Sequence, residues 1–115
     1  MTQELLNEIL RSHRNWLYGI TGGVQADLSH QDLGGLDLSG ANLRKAILCK
    51  ACFHGTNLEG ADLSFCELSG ADLKYANMKN AHFVGADLRY SILNKAKSKG
   101  ANFAGALFYK TQGLT

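Results

Sequence analysis

Residues 60–73 read GADLSFCELSGADL: a large apolar residue returns at every fifth position (Leu63, Leu68, Leu73), and a small one stands two places before it (Ala61, Cys66, Ala71). Followed outward, this clock runs from Leu28 to Phe108, seventeen units with Leu, Phe or Met at every centre except Ser98. The residue two before the centre is Ala in twelve units and Cys66, Ser91 or Thr56 in three more, so only Gln31 and Leu36 break the small-residue rule. In an extended segment residues i and i−2 share a face. Each unit therefore reads as a three-residue strand with a small inward residue, a polar outward one and a large inward one. The remaining pair makes a corner, and glycine at its second position (for example Gly40, Gly60, Gly70 and Gly85) suits a turn that needs positive φ. A helical period of about 3.6 cannot keep a five-residue clock on one face, and a continuous strand would flip the side chain at each odd step.

Tandem units of this length read as an all-β solenoid in which each coil stacks on the next. A weaker clock sets the coil length: Gly40, Gly60, Asn80 and Gly100 lie twenty apart, as do Ala41, Ala61, Ala81 and Ala101, giving four units and twenty residues per coil. The units ADLSH (26–30), GANL (40–43), GADL (60–63) and GANF (100–103) resemble the pentapeptide-repeat family. That resemblance implies a right-handed quadrilateral β-helix, and seventeen units at four per coil make about four coils, stacked at the ~4.8 Å spacing of neighbouring strands. The Asp/Asn of the pattern is missing at Ile47, Cys52, Glu67, His82, Ile92, Lys97 and Leu107. The break at Ser98 is expected to produce a bulge or loop.

Ahead of the repeat the period changes. Leu5, Leu6, Ile9, Leu10, Trp16, Leu17 and Ile20 recur at helical steps, with Glu4, Glu8, Arg11 and Arg14 opposite them. Thr2 suits the N-cap, and Gly19, Gly22 and Gly23 suit the stop. A β-helix end exposes unpaired backbone and core leucines, so this stretch, with His13, reads as an α-helical cap. Its mixed charge argues against a membrane-surface helix. The expected organisation is a cap and turn over 1–23, the β-helix over 24–110 and a tail over 111–115. One core is all that 115 residues can build. With no apolar run long enough to span a bilayer and no signal-peptide profile, a cytoplasmic location with reduced cysteines is expected.

The segment after Phe108 is too short to form a second cap. Phe103, Leu107, Phe108 and Leu114 are therefore candidate contacts of a homodimer joined head to head through the last coil. The resemblance points the same way, since it implies C-terminal dimerisation like that of family members that act on DNA gyrase.

No catalytic constellation stands out. The carboxylates of Asp27, Asp32, Asp37, Asp62, Asp72 and Asp87 share one repeating outward position, which suits satisfaction of corner backbone donors better than acid–base work. The chain is read as no enzyme, with no cofactor and no metal. Cys49-Lys50-Ala51-Cys52 is a lone CxxC facing outward, and zinc would need two further ligands. Lys50 between the thiols is expected to favour thiolate, Cys66 fills an inward small slot, and His82 is a surface ladder residue.

Charge is uneven. Residues 1–73 carry nine acids and five bases, whereas 74–115 carry seven bases against Asp87 alone. Phe65, Lys74, Tyr75, Arg89, Tyr90 and Lys95 stand at corners and are the candidate partner-binding residues, with Lys74, Tyr75, Arg89, Tyr90 and Lys95 expected along two neighbouring edges. Two functions stay open. One is an interaction scaffold for a protein partner. The other is a nucleic-acid-related role, through polyanion binding by the basic half or through the acidic DNA mimicry toward a topoisomerase that the resemblance implies. Charge and length disfavour the mimicry.

Overall fold

The computed structural model describes residues 1–114; Thr115, the last residue of the expected tail, lies outside the described residues. One helix, α1 (Gln3–Leu17), leads into a β-helix. Parallel bridges join residues twenty apart, from Asp27↔Ile47 to Ile92↔Gln112. They form four ladders, which start at Asp27, Asp32, Asp37 and Asn42. Each extended piece is bridged at its outward residue alone, so the pieces are shorter than the strands of an ordinary sheet.

The hydrogen bonds show why five residues make one unit. The centre donates to the next coil (Leu63 N–H to His82 O, 2.7 Å), and the outward residue donates to the previous one (Asp62 N–H to Ala41 O, 2.9 Å). Across the corner, Ala61 N–H reaches back to Leu58 O at 3.0 Å, with Gly60 at φ +68°, the pattern of a type II turn. Every fifth residue from His30 to Lys110 has positive φ, including nine that are not glycine. A left-handed backbone costs an ordinary L-residue about 1 kcal/mol, so the coil imposes this conformation whatever stands there. The outward carboxylates and amides support the same turn: Asp27, Asp62 and Asp87 each accept the N–H two residues on. Those hydrogen bonds, with Ser29, Ser64 and Arg89, help hold the three carboxyls below the ordinary carboxylate range.

Inside, small and large residues interlock. The centres from Leu28 to Leu88 are buried, with Ala46, Ala51, Ala61 and Ala71 filling between them. Polar inward residues are paired: Thr56 Oγ1 donates to Leu33 O at 2.8 Å and Cys66 Sγ to Leu43 O at 2.7 Å. Burial pushes the Cys66 thiol up to about 12.

Helix α1 covers the first coil. Thr2 caps it, its Oγ1 accepting Leu5 N–H at 3.1 Å. The apolar stripe is narrower than the periodicity predicts: Leu6 is buried and Ile9 and Leu10 pack on the core, but Leu5 is exposed and Ile20 lies exposed beyond the helix end. The line of contact is made by the buried Leu6 and His13, with Ile9 and Leu10 beside them. Two side chains complete the seal by standing in for a backbone. The Gln3 carboxamide accepts Asp37 N–H and donates to Asp37 O, both at 2.8 Å, as a neighbouring strand would. The buried His13 ring accepts Ala26 N–H at Nδ1 (2.9 Å) and lies 2.8 Å from Arg44 O through Nε2. With Nδ1 accepting, Nε2 carries the proton. Gln3→Ala leaves both Asp37 groups without this partner, and a loss of about 1 kcal/mol in chemical denaturation is expected; an unchanged midpoint would show that water replaces the carboxamide fully.

Two expectations are corrected at the far end. Ser98 causes no bulge: Met78 N–H bonds Lys97 O at 2.7 Å, Asn80 N–H bonds Lys99 O at 3.0 Å, and Ala101 N–H closes its corner on Ser98 O. Backbone pairing alone carries the register past a missing core side chain. The tail also begins later than residue 111, because Gln112 bridges Ile92 and Leu93 N–H bonds Gln112 O at 2.8 Å. Among the described residues no helix is long and apolar enough to cross a membrane.

Candidate binding surfaces

The corner that follows Leu73 and Leu93 carries Lys74, Tyr75 and Lys95; the corner that follows Leu88 carries Arg89 and Tyr90. The ladder through Asp72 and Ile92 lies between them. Phe65 stands apart, on the corner after Leu63. Phe65, Tyr75 and Tyr90 are 49%, 63% and 54% exposed, and each has left-handed backbone, where glycine is the least costly residue. Each is also buttressed. The Phe65 ring lies against Gly85, where an added Cβ would come within 2.6 Å of it, and takes the Arg44 guanidinium 5.3 Å from its centroid. Tyr75 meets His54 edge-on, and Tyr90 meets Tyr109.

The cations beside these rings are partly engaged. Arg89 grips Asp87 through two hydrogen bonds of 2.8 and 2.9 Å. Lys74 lies 3.7 Å from Asp72, whose carboxylate also takes His54 at 2.6 Å. Lys95, Lys97 and Lys99 have no ion pair among the described residues. Sequence alone could not separate engaged from free cations, because the partners lie in the outward ladder position of the same unit or of the coil next to it.

The last coil forms the second surface. Phe103 is half-buried and stacks on Phe83 with centroids 5.0 Å apart; Phe108 leans on Phe103 at 5.8 Å. Leu107 does not face the coil end: it occupies the outward ladder position opposite Asp87, half exposed on a side face. Leu114 is exposed. With serine at position 98, a hollow of about 640 Å³ opens, lined by Met78, Leu93, Lys95, Ala96, Ser98, Phe103, Gly113 and Leu114. The signal for it was the break in the clock at Ser98, since an intact register with a missing centre leaves a hollow. Gly113, at φ +82°, crosses so close to Asn94 that a Cβ there would lie 2.5 Å from its nitrogen, so this wall admits glycine alone.

Cys49 and Cys52 remain half-exposed free thiols. Burial, then the carboxylates of Glu67, Asp87 and Asp27, push the Cys49 thiol up, so Lys50 does not make it a favoured thiolate and that expectation is corrected. Among the described residues no three His, Cys, Asp or Glu side chains gather to hold a metal ion. His82 sits on the outward ladder between Asp62 and Asn102.

A family model of pentapeptide repeats matches residues 26–64 and 66–103 in 8 copies. Among solved structures, HetL, a pentapeptide repeat protein involved in heterocyst differentiation regulation from Nostoc sp. strain PCC 7120, is 34% identical over 65% of this chain and 37% of its own, with a TM-score of 0.51. A pentapeptide repeat protein of the Arabidopsis thaliana thylakoid lumen is 33% identical over 70% of this chain and 63% of its own (TM-score 0.43). Rfr23 from Cyanothece 51142 is 30% identical over 74% and 62% (TM-score 0.43). The chain thus spans from 37% to 63% of the length of these relatives. No curated protein matches it.

Proposed function

We propose that this chain, which belongs to the pentapeptide-repeat family, works by binding other macromolecules and not by catalysis. The observation that carries this reading is the set Phe65, Tyr75 and Tyr90: large aromatic side chains kept half-exposed at backbone positions where glycine costs least. Strain retained at exposed aromatics points to use of those side chains. In this reading the coil is right-handed and quadrilateral, about four coils high, supported by four ladders and a twenty-residue register. Lys74, Arg89 and Lys95 frame the tyrosine edges and orient the partner, and the free thiols of Cys49, Cys52 and Cys66 suit a reducing cytoplasm.

Photo-crosslinking in cells tests it. A photoreactive aromatic residue at position 75 or 90 is expected to give a discrete heavier adduct, and one at Glu59 none. Adducts at Glu59 alone would overturn the assignment of the tyrosine edges. The polyanion alternative is weakened by the pairing of Arg89 with Asp87 and Lys74 with Asp72.

The reading includes self-association through the last coil, where Phe103 and Phe108 are incompletely covered and Leu114 is exposed. Burial of such apolar surface drives association, while five bases and no acid in residues 88–115 oppose it head to head, so moderate salt strengthens the dimer. Phe108→Asp is expected to return the mass by light scattering to the 12.5 kDa of one chain. A dimer unaffected by that change would place the contact elsewhere.

A further inference from the structure

We propose that the hollow over Ser98 is a docking site for an extended peptide that carries an acidic residue followed directly by a large apolar one. The peptide adds to the ladder through Asp37, Asn57, Asn77 and Lys97 as its next parallel strand. This rests on the binding reading above and names the chemistry of one partner.

Three observations converge. The first is backbone. In each earlier coil the outward residue is bridged by the centre's N–H below and the small residue's C=O: Met78 N–H bonds Lys97 O, and Lys97 N–H bonds Ala76 O at 2.9 Å. One coil on, Ser98 N–H and Ala96 O have no backbone partner among the described residues. They are the donor and acceptor that a single residue of an incoming strand would take up, the geometry of strand addition to a sheet edge. The second is volume. A residue after that bridging position points inward, over the serine and into a hollow of about 640 Å³ walled by Met78, Leu93, Ala96 and Phe103. A leucine or phenylalanine there supplies the side chain that the clock omits. The third is charge. The bridging residue of the peptide lies beside Lys97 on the outward face, flanked by Lys95 and Lys99, and no Asp or Glu occurs in residues 88–115. Opposite charges on adjacent strands attract, and like charges repel. A second copy of this chain brings the same five bases to that end, so an acidic strand is the better-matched occupant, and the two exclude each other.

The test is a titration of the ¹⁵N-labelled chain at low salt with a capped nine-residue peptide centred on alanine–aspartate–leucine, followed by amide NMR shifts. Saturable shifts are expected at Lys97, Ser98 and Phe103. A peptide with lysine in place of aspartate binds about fivefold more weakly, and Lys97→Glu reverses that preference. Ser98→Leu fills the hollow and removes saturable binding while its own spectrum stays dispersed. Equal binding of the two peptides, binding to Ser98→Leu as to the parent chain, or no shift at 96–98 would each overturn the proposal. Shifts confined to Tyr75 and Tyr90 would overturn it while leaving the binding reading in place.

Discussion

Phe83→Ala is expected to lower stability by about 3–5 kcal/mol, the range for emptying a buried aromatic site. Phe83 is fully buried, and its ring lies at 11° to that of Phe103, 5.0 Å away. Removing it deletes core volume and also the face on which Phe103 rests, and Phe108 leans on Phe103 in turn. Solenoids are held by contacts between successive coils, so the loss should be directional. Hydrogen exchange should accelerate most in residues 96–112 and least in the coils against α1. Uniform acceleration along the chain would show that the coils open as one unit.

His13→Ala is the second large effect, about 2–4 kcal/mol, from two lost hydrogen bonds and the cavity left by a buried ring. It also carries a pH signature. Burial lowers the His13 pKa below its ordinary 6.5, against the opposing pull of the Arg44 carbonyl. A neutral ring with a free Nδ1 lone pair is what Ala26 N–H requires, and protonation removes that acceptor. Because the folded pKa lies below the unfolded one, the contribution is complete above about pH 6.5 and is lost as pH falls through the folded value. The lowered carboxyls of Asp27, Asp37, Asp62 and Asp87 act in a separate window, below about 3.8. Between pH 7 and 5 the thermal midpoint of the parent chain should therefore fall more than that of His13→Ala. Parallel curves would remove His13 from that window.

What was legible in the sequence is what repeats. Five residues per corner and twenty per coil both followed from spacing, and both appear in the bridges. Helix α1 followed from its apolar period and from Thr2. What escaped is what occurs once. His13 was placed in the cap, but the hydrogen bonds by which it and Gln3 seal the first coil are ones an apolar period does not register. Leu107 was grouped with the coil-end dimer contacts, but its place one before the centre turns it to a side face. Ser98 was visible as a break, yet spacing could not say whether the backbone or only the core gives way there; the parallel register shows that it is the core. Position within the unit, more than residue type, decides which way a side chain points.

The most direct test of the account, a binding module that uses its last coil, is the solution mass by light scattering across concentration at moderate salt. Self-association through the last coil gives a rise from 12.5 kDa toward twice that value as concentration increases. A mass of 12.5 kDa at every concentration would contradict self-association through this end.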